Sequence, residues 1–384
     1  MNQRPLNVVQ IVAFLPVGGM ENLLLRTLPL FDKLRFHIRI CCTYKRGSLA
    51  DRFEEKGIPV DVCRVRSRLH PIDIWALSRW LKKEKIDIVH THMYASNITG
   101  VIAARLARIP VIISHVHSLH EWNSRNRIWM EKIADHFRSG AIVNSEFVKQ
   151  AFIQKIGIPH PEKVKVLYNV APLTNTHPGD PERIRRELGI PPHVRIIGAV
   201  SRLVHKKGVD LFIRAAAEIR KSHPEAFFLI AGKGKELENL FHLTESLNLK
   251  GQVLFAGERK DMENIYPLFD IFVLSSRDEP FGMVLLEAMQ FKIPIVATAV
   301  GGVPEVVNGG KAALLIPPES PHEMAAAIIK LLDDPLFAQK LGEQGSVRAK
   351  DFPVEKYVQT LEQYYENLWE NESRSRKSPV KEAR

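Results

Sequence analysis

The sequence predicts a chain of two doubly wound α/β domains. Three observations carry that expectation. Each half opens on a short apolar run, then a loop of small or charged residues, then an amphipathic segment: residues 7–15, Val17-Gly18-Gly19-Met20-Glu21 and 22–31 in one half, residues 193–200, Ser201-Arg202-Leu203 and 209–221 in the other. Further short apolar runs alternate with helical segments, as buried parallel strands under covering helices require. The composition breaks once, at Ala171-Pro172-Leu173-Thr174-Asn175-Thr176-His177-Pro178-Gly179-Asp180. At 384 residues the chain exceeds one ordinary core, and two domains of roughly 170–200 residues are expected.

Strands are expected at 7–15, 36–42, 86–90, 111–114, 141–144 and 164–167 in the first half. In the second they are expected at 193–200, 226–231, 253–256, 271–274 and 293–297. A closing helix over 354–369 places Tyr357, Leu361, Tyr364, Tyr365 and Leu368 near helical spacing. The domains are therefore 1–172, joined by the returning helix 354–370, and 193–353, with 173–192 as linker and 371–384 as a disordered polar tail. Ligands of open α/β sheets bind beyond the carboxyl ends of the strands, so a cleft between the two domains is the expected site.

Hydrophobic residues make up 45% and charged residues 25%, which excludes collagen, coiled-coil and wholly disordered classes. No apolar run approaches the ~20 residues that span a bilayer, and the N-terminus lacks the pattern of a secretory leader. Three cysteines, Cys41, Cys42 and Cys63, lack metal-ligand spacing and read as reduced thiols in cytosol. The net charge of +11 is uneven: residues 1–180 hold 26 Lys and Arg against 15 Asp and Glu, whereas 181–384 hold 28 of each. A basic half suits an acidic substrate, an anionic membrane surface or nucleic acid. RNP, KH and zinc-finger patterns are missing, which argues against nucleic acid.

The densest chemical signal is Ser275-Ser276-Arg277-Asp278-Glu279-Pro280-Phe281-Gly282-Met283-Val284-Leu285-Leu286-Glu287. A strand delivers the chain to a helix start whose free N–H groups form an anion site, and Gly282 permits close approach of a phosphate. Glu287 lies about 10 Å from Glu279 along the axis. Two carboxylates that far apart, with an anion site between, suit a long ligand with hydroxyls at both ends and phosphates in the middle: a nucleotide sugar. Arg202 and Lys207, five apart across a turn, suit a diphosphate. Gly232-Lys233-Gly234 and Gly257-Glu258-Arg259-Lys260 follow strands and suit a base.

In this order, Gly18-Gly19-Met20-Glu21, Val89-His90-Thr91-His92, Arg202…Lys207-Gly208, Gly232-Lys233-Gly234, Glu279-Pro280-Phe281-Gly282…Glu287-Ala288-Met289 and Gly301-Gly302-Val303-Pro304-Glu305 resemble family four of the glycosyltransferases, the retaining group of GT-B fold also called glycosyl transferases group 1. The resemblance covers about residues 8–310 and implies a GT-B arrangement of two Rossmann-like domains facing across a cleft. It implies that Glu279 meets the donor sugar, Glu287 the ribose, and Arg202 and Lys207 the diphosphate. Gly18 and Gly19 approach from the other domain, Gly232 lies near the base, and Phe281, Gly282, Met283 and Val284 lie near phosphate or ribose. His117 faces the sugar. His115, two residues earlier on the same strand face, stays open as an alternative, with His120 a third candidate.

The resemblance further implies retaining, metal-independent hexosyl transfer from a UDP-, GDP- or ADP-sugar, with no cofactor. The acceptor is a saccharide or lipid-linked hydroxyl, in cell-surface polysaccharide or glycolipid biosynthesis, in the cytoplasm or peripheral to the inner face of the membrane. The absence of a DxD-type acidic pair at a strand end agrees with metal independence. Residues 72–85, with Ile74, Leu77 and Leu81 in one stripe and Trp75 and Trp80 flanking it, read either as an interfacial helix or as a helix packed on the core. The rival readings are a non-catalytic nucleotide-sugar-binding or membrane-associated protein of the same fold, a GT-B nucleotide-sugar epimerase, and a glycan phosphorylase.

Overall fold

The computed structural model describes residues 4–118, 124–171 and 180–377. They fall into two compact units, one built from the chain up to Asn169 together with Val354 onward, the other from Val170–Pro353.

The first unit holds a seven-stranded sheet: β1 Leu6–Val12, β2 Phe36–Cys42, β3 Val60–Val62, β4 Ile88–His92, β5 Val111–Val116, β6 Gly140–Val143 and β7 Val164–Val166. Its order is β3-β2-β1-β4-β5-β6-β7, with every pair parallel. The second unit holds six strands: β8 Arg195–Val200, β9 Ala226–Ala231, β10 Val253–Gly257, β11 Ile271–Leu274, β12 Ile295–Thr298 and β13 Leu314–Ile316. Their order is β10-β9-β8-β11-β12-β13, again all parallel. In both sheets the order reverses beside the first strand, between β1 and β4 and between β8 and β11, and such a reversal opens a crevice for ligands.

The apolar runs are continuous because both faces of each sheet are covered. In β9, Phe227 and Leu229 enter one core while Phe228 and Ile230 enter another on the opposite face. The alternation of a strand is thus hidden, since neither face meets water. β2, β9 and β11 begin and end where the apolar pattern places them. Two of the four edge strands, β3 and β13, have no counterpart in the sequence expectation; each has three residues, too few to show a period.

Two boundaries differ from expectation. Most of the expected linker belongs to the second unit. Asp180 accepts a hydrogen bond from Arg183 N (2.8 Å) and caps the helix Pro181–Glu187, whose Ile184 is 0% exposed. Ile190 is buried in the same core, while 172–179 lie outside the described residues. The expected polar tail is also shorter, because the closing helix runs Val354–Lys377 and takes in 371–377. Ion-pair spacing such as Glu370 to Arg374 lets a polar segment extend a helix already started by packing. Residues 378–384 lie outside the described residues.

That closing helix is part of the first unit. Tyr357, Leu361 and Tyr365 are buried, with the Tyr365 ring 5.9 Å from Phe31 and 6.0 Å from Phe36. Glu362 accepts from Asp32 N at 2.7 Å. Burial of each such large side chain contributes roughly 1.5–3 kcal/mol.

Candidate functional site

In the second unit the loops after β8 and β11 lie side by side at the reversal. Three contacts lock them together. Ser275 Oγ donates to Lys207 O (3.0 Å), Arg277 N donates to Lys206 O (2.8 Å), and the Arg277 guanidinium grips both oxygens of Asp210 (2.6 and 2.8 Å). Two glycines are required by close approach. A Cβ on Gly208 (φ +61°) would sit 2.0 Å from Ser275 O, and one on Gly301 (φ +56°) 2.0 Å from Glu279 O. Both residues are left-handed, so a side chain is excluded by conformation and by space. Gly302 N then donates to Glu279 O at 3.0 Å.

This frame brings Lys207 onto Glu279. The Lys207 ammonium donates to Glu279 Oε2, which also accepts from Ser276 Oγ at 3.3 Å. The side chains are 15% and 9% exposed, so the pair is largely withdrawn from water. Lys206, next to it, is half-buried. Burial chiefly, and repulsion from Lys207 and Arg202 besides, pushes its amine below the ordinary lysine range. Arg202 is exposed and has no ion pair among the described residues. Lys207 thus meets the carboxylate directly, with Lys206 and Arg202 near enough for their charges to repel one another, and the helix Met283–Gln290 follows with Gly282 (φ +93°) as its N-cap. Met283 and Val284 are its first two residues, so their N–H groups lack helical acceptors. Surplus positive charge and free donors together suit a diphosphate.

Glu287 lies one turn into that helix and accepts a hydrogen bond from the Tyr266 hydroxyl. Burial, with the Glu287 charge beside it, holds the Tyr266 phenol far above its usual pKa, so it remains a donor. Tyr266 had no sequence signal. Gly232, after β9, donates to Gly257 O at 2.7 Å and so joins the two loops expected near a base. The Phe281 side chain is 2% exposed and packs on Phe352 with ring centroids 5.9 Å apart, so this position offers a ligand its main chain.

In the first unit Gly18 caps the helix Gly19–Thr27 in extended conformation (φ −163°), with the Glu21 carboxylate folded back over it, 2.4 Å from where a Cβ would be. At the β1/β4 reversal the register places Gln10 across from His90, and His92 across from His115. Residues directly across parallel strands share a face, so His90, His92, His115 and His117, just past β5, form one stack. Centroids are 4.4 Å apart for His90–His92, 5.4 Å for His92–His117 and 4.0 Å for His115–His117. His115 is 0% exposed with neither ring nitrogen paired, whereas His117 keeps some surface; His117 is the better placed of the two to meet a ligand. His120 lies outside the described residues. Burial pushes His90 and His117 down to about 3, and His92 and His115 well below the ordinary imidazole range. The two His-x-His runs, His90-Thr91-His92 and His115-Val116-His117, are the signal that reveals the stack: period two on neighbouring strands.

Among the described residues His90, His92 and His115 are the group whose geometry is nearest a metal site, with ligand atoms within 4.8 Å of one another. Two nitrogens on one tetrahedral zinc sit roughly 3.4 Å apart. Binding would require the rings to turn, and His92 would have to release Gln10 or His117.

The model of the glycosyl transferases group 1 matches residues 180–348, and that of glycosyltransferase family 4 matches 17–174. The D-inositol 3-phosphate glycosyltransferase of Corynebacterium jeikeium (strain K411) is 32% identical over 305 residues, covering 73% of this chain and 72% of its own. The chain belongs to glycosyltransferase family 4. A second relative of this family-4 enzyme is the Escherichia coli UDP-Gal:alpha-D-GlcNAc-diphosphoundecaprenol alpha-1,3-galactosyltransferase, 27% identical over 334 residues, 83% of this chain and 86% of the relative. Anabaena Alr3699/HepE, solved with UDP and glucose, superposes with a TM-score of 0.85 at 24% identity over 94% of this chain and all of its own. WaaG, a glycosyltransferase involved in lipopolysaccharide biosynthesis, superposes at 0.72 with 18% identity over 92% and 98%. The fold is GT-B, and the activity is glycosyl transfer.

Proposed function

We propose that this glycosyltransferase moves a hexosyl group from a nucleoside-diphosphate sugar to a hydroxyl of a phosphate-bearing saccharide or lipid-linked acceptor, retaining configuration at the anomeric carbon and using neither metal nor cofactor. The Lys207–Glu279 pair at the strand reversal, flanked by Lys206, Arg202 and the Met283 helix start, carries this reading. When the bond from the anomeric carbon to the β-phosphate breaks, negative charge grows on the phosphate. Lys207, Arg202 and the helix N-terminus stabilise that charge, which is electrostatic catalysis without a Lewis acid. Glu279 binds the hexose hydroxyls once a diphosphate draws Lys207 away, and Glu287 binds the ribose. The acceptor oxygen attacks from the leaving-group side, and its proton passes to the departing phosphate, so no enzyme nucleophile is needed. UDP is the first donor base to test, because one relative is named for UDP-Gal and a structural neighbour holds UDP.

The acceptor is assigned to a cavity of about 570 Å³ at the carboxyl ends of β1 and β2, lined by Thr43, Tyr44, Arg66, Arg68 and Thr99 among others. Beside it the Arg68 and Arg127 guanidiniums both lie over the Tyr94 ring, 5.0 and 5.2 Å from its centroid. Two like charges on one ring favour an anion between them. The names of two relatives contain phosphate-bearing acceptors. Among the described residues no helix is long and apolar enough to cross a membrane. The helix Pro71–Lys83 buries Ile74, Leu77 and Leu81 but exposes Ile72 and Trp75, with Arg79 stacked on Trp75 at 4.9 Å. We assign this face to an anionic inner leaflet.

A panel of nucleotide hexoses, assayed for hydrolysis and transfer with the anomeric configuration read by NMR, tests the proposal. Turnover is expected to persist in EDTA and to vanish in the Lys207→Ala/Glu279→Ala double variant. Full turnover by that variant sinks the site assignment, and an inverted product sinks the mechanism. Sedimentation with anionic vesicles at low salt tests the membrane face.

A further inference from the structure

Glu287 and Phe291 are four residues apart, so they share one face of the helix Met283–Gln290 and its C-terminal cap. Tyr266 lies along that face. Its ring stacks on Phe291 with centroids 5.8 Å apart and planes 12° from parallel, and its hydroxyl reaches the Glu287 carboxylate one turn nearer the helix start. Two more rings pack against it: Phe269, edge-on at 5.8 Å, and Phe272 of β11 at 5.9 Å. Tyr266 is 0% exposed, whereas Glu287 keeps part of its surface. An ordinary phenol titrates near 10 and a glutamate near 4.3, so between those values the proton sits on the tyrosine and the ionised carboxylate accepts the hydrogen bond. A bond to a charged acceptor is stronger than a neutral one. A glutamate on a helix surface otherwise samples several rotamers, and a ligand that needs one of them binds less well for having to select it. Here the selection is made before any ligand is present.

We propose that Tyr266 is a positioning residue: it fixes the Glu287 carboxylate in the orientation that receives the ribose hydroxyls, and so sets the preference for ribonucleotide over deoxyribonucleotide donors. The proposal rests on the reading of Glu287 as the ribose contact. Tyr266 itself touches no substrate; its ring is packed among Phe269, Phe272 and Phe291, and it acts through Glu287. All five residues belong to the second unit, so the assignment is internal to it. The consequence is specific. A nucleotide that lacks the 2′ and 3′ hydroxyls offers Glu287 nothing to bind, and its affinity is indifferent to Tyr266. Tyr266→Phe keeps the ring and its packing and deletes one oxygen, which releases the carboxylate and leaves the aromatic cluster filled.

Isothermal titration of the full chain tests this with whichever of UDP, GDP and ADP binds most tightly, set against its 2′,3′-dideoxy form. Tyr266→Phe is expected to weaken the ribonucleotide about tenfold and to leave the dideoxy form within about twofold, which also shows that the variant is folded. In turnover the donor KM is expected to rise about tenfold with kcat within about twofold, as when binding common to ground and transition states is lost. Glu287→Ala is expected to abolish the difference between the two nucleotides, and adding Tyr266→Phe to it is expected to cost no further affinity. Equal weakening of both nucleotides by Tyr266→Phe overturns the proposal, because a merely structural tyrosine does that; weakening of neither overturns it too. So does an additive double variant, or a fall in kcat with KM unchanged. Failure of the donor-site reading looks different: wild type that binds none of the three diphosphates, or Glu287→Ala that still prefers the ribonucleotide, removes Glu287 from the ribose and takes the proposal with it.

Discussion

The two sheets reverse at equivalent places and fill the two crevices with opposite chemistry. At β8/β11 the crevice is charged: Lys207 on Glu279, Arg277 on Asp210, Lys206 and Arg202 close by. At β1/β4 it is neutral, with three imidazoles, an amide and a phenol in one bonded series and a fourth imidazole, His115, stacked against them. The charged crevice is held by main-chain turns that admit only glycine, the neutral one by side chains that burial keeps unprotonated. Fixed charge suits an anion, whereas uncharged hydrogen-bonding groups suit a neutral polar partner.

The largest expected effect breaks the charged side. Lys207→Ala and Glu279→Ala each lower transfer by at least about 10²–10³-fold, as removal of a preorganised charge-stabilising group does. Each single change also strands a largely buried partner and lowers stability by about 3 kcal/mol, while the double variant recovers part of that loss; urea titrations of the three proteins check the non-additivity. Gly301→Ala, forcing a methyl against Glu279 O, is expected to lower both stability and UDP affinity, read by calorimetry.

Next in size is the pH response, which separates the two units by sign. The stacked imidazoles have folded pKa values below the ordinary 6.5, so the unfolded chain takes up protons first as pH falls. Their contribution is whole above about pH 6.5 and is lost progressively from there toward about 3, by up to ~1.4 kcal/mol per histidine per pH unit. In the second unit His322, beside Glu218, is shifted upward; its contribution is present at low pH and is lost as pH rises. All five tryptophans (Trp75, Trp80, Trp122, Trp129, Trp369) belong to the first unit. Tryptophan fluorescence should therefore report unfolding at pH 5 under denaturant that leaves UDP binding by the second unit in place.

The smallest expected effect is His115→Phe. It replaces an imidazole with two unpaired nitrogens by an apolar ring, so stability at pH 8 should change by less than about 1 kcal/mol while the acid slope flattens. The same variant removes a member of the zinc-like grouping His90, His92 and His115 found among the described residues. Unchanged zinc content and turnover, by elemental analysis and assay, are expected.

Much of this was legible before any coordinates. β2, β9 and β11 are bounded by buried apolar runs with turn residues on each side, and the Glu279–Glu287 block marks a strand-to-helix passage. Lys207 and Glu279 were each singled out but not as a pair, because 72 residues separate them and no local pattern encodes contact at that range. Tyr266 was missed for the same reason. The prolines and glycine of 171–180 drew the linker too far, since a cap at Asp180 and a buried Ile184 weigh more than composition. The stack was visible only as two His-x-His runs, whose adjacency depends on which strands pair.

The chain leaves the first unit after Asn169 and comes back at Val354. A stop codon at the second crossing would therefore spare the downstream half and injure the upstream one, stripping Tyr365 from Phe31, Phe36 and Gln10. A gene fragment covering 170–353 is the sound choice for producing the second unit alone. The complementary half survives only if its two ends are spliced or supplied in trans, and without the returning helix its bared aromatics would invite aggregation.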